Sequence, residues 1–268
     1  MGKNKLRKFS ELSEIDFVYQ YPYGRLAEEG FPWRGRWHEV FGNDNPIVLE
    51  LGCGKGEYTV GLARRDASRN YIGIDIKGAR MHAGAMAAQR EGLRNVAFVR
   101  TGIELLDRFF APGEVSDIWV TFPDPQMQKV NKRLTGTRFC SMYRRVAAPG
   151  CMLRLKTDSP FLYAYTARMA RHNSLAVAAD TADLYGEDYT TAEPWLGIRT
   201  HYEQQWLERG LSIKYLAFSL DGDTPLCEPE ADDIPKDTHL RLCPTTRPRC
   251  RARRGAPGLL PRGTECGS

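Results

Sequence analysis

Residues 47–58 read IVLELGCGKGEY, an apolar run that passes directly into three glycines at alternate positions. Ile47, Val48, Leu49 and Leu51 give the near-continuous hydrophobicity of a buried parallel strand. Gly52, Gly54 and Gly56 strip the following turn of side chains, so backbone can come close to a ligand. The spacing narrows which ligand. A dinucleotide fingerprint would place glycine at 57, where the chain has Glu57, and this disfavours an NAD-dependent oxidoreductase. A phosphate-cradling P-loop would follow Gly54-Lys55 with Ser or Thr, where the chain has Gly56.

What remains, Glu50-x-Gly52-x-Gly54-x-Gly56, resembles motif I of the class I S-adenosylmethionine (SAM) methyltransferases; the competing reading is a glycine-rich turn without a ligand. Residues 58–69 read as a helix whose N-terminus faces the ligand. Residues 71–76, YIGIDI, form a strand ending near Asp75, which lies 23 positions after Gly52. Nucleotide-binding βαβ units place a ribose-binding acid at about that distance. A helix over 77–92 and a strand over 96–100 follow, closing on Thr101 and Gly102, where an adenine is expected.

A fourth strand, residues 117–122, runs into Pro123-Asp124-Pro125. Proline fixes its own φ and keeps the preceding residue extended, so Asp124 is held rigidly at a strand's carboxyl end, where α/β sheets bind ligands. Its carboxylate is expected to point into the site; a capping aspartate in a rigid turn is the alternative. Residues 126–145 then carry six cations and no acid. Such a run suits an RNA phosphate backbone, with Lys129, Lys132 and Arg133 as first contacts and the others on the outer face of a helix over 132–147. A strand over 151–157 ends beside Asp158, and Ser159-Pro160 starts a helix running to 172. After a short strand (175–179) and a polar, aromatic loop (183–199), residues 200–210 read as a helix and 212–220 as a closing strand. Strand-helix alternation of this kind argues for a doubly wound α/β sheet.

The chain of 268 residues is 42% hydrophobic and suits one catalytic domain. No stretch of 18 apolar residues and no secretory leader is evident, so a cytoplasmic protein is expected. The seven cysteines form no CxxC pair, which favours free thiols over disulfides or zinc. Residues 1–8 hold Lys3, Lys5, Arg7 and Lys8 and read as a flexible basic arm. Residues 9–45 are rich in aromatics that could form a lid or cover a sheet edge. Residues 221–268 carry eight acids and eight bases, so the net charge of +5 sits on residues 1–220. That tail reads as disordered, and its deletion after Leu220 is expected to leave activity unchanged. Cys227, Cys243, Cys250 and Cys266 with His239 lack the paired spacing of a metal cluster.

With FPDP after the fourth strand, Thr-Asp after the fifth and Thr-x-x-Glu before the last, the chain over about residues 2–220 is similar to the bacterial tRNA (guanine-N7-)-methyltransferases. The resemblance implies a class I, Rossmann-like fold with a mostly parallel, seven-stranded sheet and an antiparallel last strand. It implies methyl transfer from SAM to N7 of a guanine in the tRNA variable loop, position 46, without a metal. By the same resemblance Glu50, Gly52, Gly54, Gly56 and Asp75 bind SAM, with Thr101 and Gly102 near the adenine. Asp124 is then the catalytic or guanine-orienting carboxylate, with Asp158, Thr200 and Glu203 around the substrate. The chain departs from the family pattern at Gln126-Met127-Gln128, where tryptophan and histidine are usual, and at Tyr202, where phenylalanine is. A SAM methyltransferase for another RNA or a small molecule, and a non-catalytic RNA-binding relative, are the rival readings.

Overall fold

The structure, a computed structural model, describes residues 3–187 and 189–238. The residues through Lys236 form one compact unit; residues 237–268 fall outside it. Helix α1 (Lys3–Ser13) precedes strand β1 (Val18–Gln20), and α2 (Tyr23–Glu29) and α3 (Trp37–Phe41) lead into β2 (Ile47–Leu51). Regular alternation follows through α4 (Glu57–Arg65), β3 (Asn70–Ile74), α5 (Gly78–Glu91), β4 (Val96–Arg100), α6 (Leu106–Phe109) and β5 (Val115–Thr121). Then come α7 (Thr137–Tyr143), β6 (Ala147–Thr157), α8 (Pro160–His172), β7 (Val177–Thr181), α9 (Tyr189–Ala192), α10 (His201–Glu208) and β8 (Lys214–Ser219).

The strands form one eight-stranded sheet in the order β1-β4-β3-β2-β5-β6-β8-β7. All pairs are parallel except those of β8, which runs antiparallel to both β6 and β7. The expected seven strands are present, and the eighth is β1, drawn from the aromatic N-terminal segment and paired with the edge of β4. The strand order reverses between β2 and β5, and the crevice beyond their carboxyl ends is where such sheets bind ligands.

The N-terminal segment is ordered from Lys3, which corrects the flexible arm. Leu12 is fully buried, His82 of α5 meets Glu11 at 2.5 Å, and Arg100 sits over the Phe9 ring at 4.3 Å. The aromatics after it cover the sheet edge. Trp37 is fully buried, stacks on Phe110 and donates its indole N–H to the Phe109 carbonyl at 3.1 Å. Burying a side chain of that size contributes roughly 2–3 kcal/mol.

Two further expectations change. The helix anticipated over 132–147 is shortened to α7, because β6 starts at Ala147 and continues through Pro149-Gly150 by a register shift against β5. The tail expected to be disordered is packed as far as residue 236. Ile234 joins the hydrophobic core, and Arg144 donates to the carbonyl oxygens of Leu220, Thr224 and Asp221. Glu228 accepts from Tyr165 and Thr137, and Arg168 is paired with Asp233. A hydrophobic-pattern search misses this segment because polar anchors hold most of it. His239, Cys243, Cys250 and Cys266 lie outside the described residues. Among the described residues no helix is long and apolar enough to cross a membrane.

Candidate active site

The glycine turn after β2 has the backbone its sequence anticipates. Gly52, Gly54 and Gly56 have φ of +77°, +56° and +71°. A Cβ on Gly56 would stand 2.8 Å from the Phe98 ring, so both conformation and space require glycine there. Two carboxylates fix the turn. Asp75 accepts from the amides of Gly54 (2.9 Å) and Lys77 (2.7 Å), tying the end of β3 to the loop. Glu50 is buried and accepts from the Thr59 amide (2.8 Å) and hydroxyl and from the Thr121 hydroxyl (2.6 Å). Gly56 cannot cap α4 with a side chain, so Glu50 supplies the anion at that helix N-terminus. Burial pushes the Glu50 carboxyl up to about 7 although these hydrogen bonds oppose the rise.

Two adjoining cavities open at the reversal point. The larger, about 520 Å³, is walled by the glycine turn, Asp75, Ile76, Thr101, Gly102, Ile103, and the stretch from Phe122 through Asp124, with Lys132 at its border. The smaller, about 130 Å³, is enclosed by Glu50, Gly52, Cys53, Thr121, Phe122, Thr200 and Tyr202. Phe122 and Arg80 line both. The 122–126 loop between them is strained, since Phe122 and Gln126 hold φ of +48° and +47° although neither is glycine. Such non-glycine residues concentrate where surrounding structure over-determines the backbone, often at functional sites. Asp124 is exposed at the mouth of the larger cavity, and its Oδ1 accepts from the Gln126 amide at 3.0 Å.

The larger cavity could hold a donor with an adenine, a ribose and an amino acid. Its hydroxyls would meet Asp75 and its purine would lie beside Thr101–Ile103.

A family model described as "Putative methyltransferase" matches residues 44–216. A tRNA (guanine-N(7)-)-methyltransferase of Porphyromonas gingivalis is 62% identical over 81% of this chain and 89% of its own length. One from Bacteroides fragilis is 53% identical over 87% of this chain and 92% of its own. The chain belongs to the tRNA (guanine-N7-)-methyltransferase family. Among solved structures, an antibiotic-related methyltransferase (TM-score 0.52, 17% identity, 69% of this chain and 92% of that one) shares the fold. The 16S rRNA methyltransferase KamB does so too, with TM-score 0.51 and 16% identity over 71% of this chain and 94% of that one. At such identities the likeness concerns the fold alone.

The structure brings Glu50, Gly52, Gly54, Asp75, Thr101, Gly102, Asp124, Lys132 and Thr200 around the two cavities, while Gly56 lines a neighbouring groove. Four expected substrate contacts lie outside both linings, of which Lys129 is exposed, its carbonyl accepting from the Lys132 amide at 2.8 Å. Arg133 is 4% exposed; its guanidinium donates to the carbonyl oxygens of Gln126 and Met127 and sits over Tyr165 at 4.2 Å, so it holds the loop instead of presenting charge to RNA. Glu203 is fully buried, 2.8 Å from Lys156 Nζ and bonded to the Tyr185 hydroxyl, and it completes a capping box with Thr200. Its carboxylate therefore shapes the pocket through Thr200. Asp158 is buried at the end of β6, accepts from Lys214 through its carbonyl and forms no part of either cavity wall.

Sequence reasoning did not assign Arg80, Phe122 or Tyr202 to the site. Tyr202 stood inside the Thr-x-x-Glu motif and could have been found there. The left-handed backbone of Phe122 leaves no mark in sequence. Among the described residues no cluster of His, Cys, Asp and Glu is suited to a metal ion.

Proposed function

We propose that this chain is a tRNA (guanine-N7-)-methyltransferase that takes its methyl group from SAM. The observation that carries this reading is the meeting of a glycine-turn cavity suited to an adenosyl donor with the Asp124 loop, in a chain 62% identical to a relative named as a tRNA (guanine-N(7)-)-methyltransferase. Bound SAM would supply an electrophilic methyl on a sulfonium. Guanine N7 has a lone pair and no proton, so the protein need not provide a base. Its tasks are to align the acceptor in the smaller cavity, where Phe122 joins it to the larger one that Asp124 lines, and to offset the positive charge that develops on the purine. Asp124 is placed to orient the guanine through its N1–H and amino group and to stabilise that charge. Thr200 and Tyr202 wall the acceptor, and Lys129 and Lys132 meet RNA phosphates on the Asp124 side. A base reaching this crevice leaves its stack, as in other enzymes that modify bases. The guanine of the variable loop, position 46, is the proposed target.

The test is incubation with labelled SAM and unmodified tRNA, followed by nucleoside analysis. The expected product is 7-methylguanosine at one position. Methyl transfer to another nucleoside, or none to RNA, would overturn the assignment.

A further inference from the structure

Most cations that follow Asp124 in sequence are already engaged within the protein. Arg133 is buried, Arg138 donates to the Asn131 carbonyl, Arg144 holds residues 220–224, and Arg145 pairs with Asp107 at 3.2 Å. Lys129 and Lys132 stay exposed, both on one flank of the crevice. A strand that delivers one base into a pocket passes on both sides of it, and sequence-independent affinity for RNA comes mainly from cations on its phosphates. The opposite flank therefore needs positive charge of its own.

It has a basic groove. Lys55 and Glu57 line the acceptor cavity on one side and, on the other, a groove of about 440 Å³ that continues to Arg64, Arg65 and Arg199. Arg64 is bound to Glu91 through two nitrogens, Lys55 lies 3.9 Å from Glu57, and Glu57 accepts from the His201 amide at 3.0 Å. Arg65 and Arg199 are exposed and make no ion pair among the described residues, Arg199 resting over the Tyr185 ring at 4.5 Å. Their field reaches inward. Burial lowers the ammonium of Lys156 to about 8, Glu203 opposes this, and Arg199 and Arg65 add to the lowering. Arg65 and Arg199 thus leave uncompensated positive charge in a groove that Lys55 and Glu57 join to the acceptor pocket.

We propose that the groove lined by Lys55, Arg65 and Arg199 is a second phosphate-binding subsite for the RNA substrate, on the flank opposite Lys129 and Lys132. This rests on the reading of the chain as an RNA methyltransferase. The two flanks act together, so that backbone on either side of the target guanine is held while the base enters between them. Arginine suits the task, because its planar fork binds phosphate oxygens in pairs.

The test uses the full chain with Arg65→Ser and Arg199→Ser combined, and unmodified tRNA as the probe. Filter binding across a salt series is expected to show at least a tenfold weaker Kd, with the log–log salt slope shallower by about 1 to 2, as loss of two phosphate contacts requires. The SAM Kd by calorimetry and the melting temperature stay at wild-type values. The pair Arg65→Lys and Arg199→Lys, which keeps the charge, recovers most of the affinity. Wild-type Kd and salt slope in the serine variant overturn the subsite, as would equal losses in the serine and lysine pairs accompanied by a lowered melting temperature. Binding is read without turnover, so failure of the wild-type chain to form 7-methylguanosine is a separate result that strikes only the parent assignment.

Discussion

The backbone amide of Phe122 donates to the carbonyl oxygen of Lys156 at 2.8 Å, while the ammonium of the same lysine lies 2.8 Å from Glu203. One residue of β6 thereby fixes both walls of the smaller cavity. Its backbone holds the strained end of β5, and its side chain holds the start of α10, where Thr200 and Tyr202 project. The ammonium also donates to the carbonyl oxygens of Leu196 (2.8 Å) and Ile198 (2.9 Å), so the connection ahead of α10 hangs on it as well.

Lys156→Met should therefore act on stability first. It leaves a buried carboxylate without its cation, which costs about 3–5 kcal/mol. Adding Glu203→Gln removes the stranded charge and should restore part of that loss. Urea unfolding of both variants checks this; a double variant less stable than Lys156→Met alone would show that the pair is not the anchor.

Glu50 gives stability a pH dependence whose sign is fixed by its environment. Its carboxyl titrates near 7 in the folded protein against an ordinary 4.5, so the native state binds the proton more tightly than the unfolded chain. The resulting stabilisation is fully present below about pH 4.5 and is lost as pH rises through about 7. Up to about 3 kcal/mol separates the two limits. Glu50→Gln cannot titrate. Relative to that variant the wild type should lose stability between pH 5 and pH 8, and subtracting the two urea midpoints cancels the other titrating groups. A constant difference across that range would mean the carboxyl keeps its ordinary pKa.

The fold was legible where hydrophobic periodicity and glycine spacing decide structure. The apolar run before Gly52 and the acid at Asp75 located the crevice, because parallel strands place their loops at one edge of the sheet. The burial of Arg133 was not legible, because charge in a sequence does not reveal whether a guanidinium faces water or a pair of carbonyl oxygens. The ion pair of Glu203 was hidden for a related reason: its capping box is visible in Thr-x-x-Glu, but its buried partner Lys156 is 47 positions away. β1 escaped notice because three residues are too few for any periodic signal.

The packed segment after Leu220 makes a prediction opposite to the one its composition suggests. Ile234 is 6% exposed within the core, so Ile234→Ala should cost about 2–3 kcal/mol. Truncation after Leu220 also removes the carbonyl oxygens that Arg144 uses and the Glu228 carboxylate bonded to Tyr165 at 2.7 Å. The truncated chain should melt several degrees lower than the full chain, as read by differential scanning calorimetry. An unchanged melting temperature would mean that this packing contributes nothing to stability.

The role proposed for Asp124 in methyl transfer and its hold on the loop are separated by a pair of substitutions. Its carboxylate lines the larger cavity, and its Oδ1 also accepts from the Gln126 amide within a loop whose φ values at Phe122 and Gln126 are positive. Asp124→Ala removes the charge and the loop contact together; Asp124→Asn keeps an acceptor for Gln126 and removes only the charge. Should the carboxylate orient the guanine and offset its developing charge, both variants lose methyl transfer by about a hundredfold or more. The SAM Kd should move little in either, since Asp75 and the glycine turn hold the donor independently. A loop-holding role predicts instead that Asn works nearly as well as Asp and that Ala alone fails. Single-turnover rates with tRNA, alongside SAM titrations of both variants, distinguish the two. Wild-type turnover in Asp124→Asn would move the charge-stabilising role to another group.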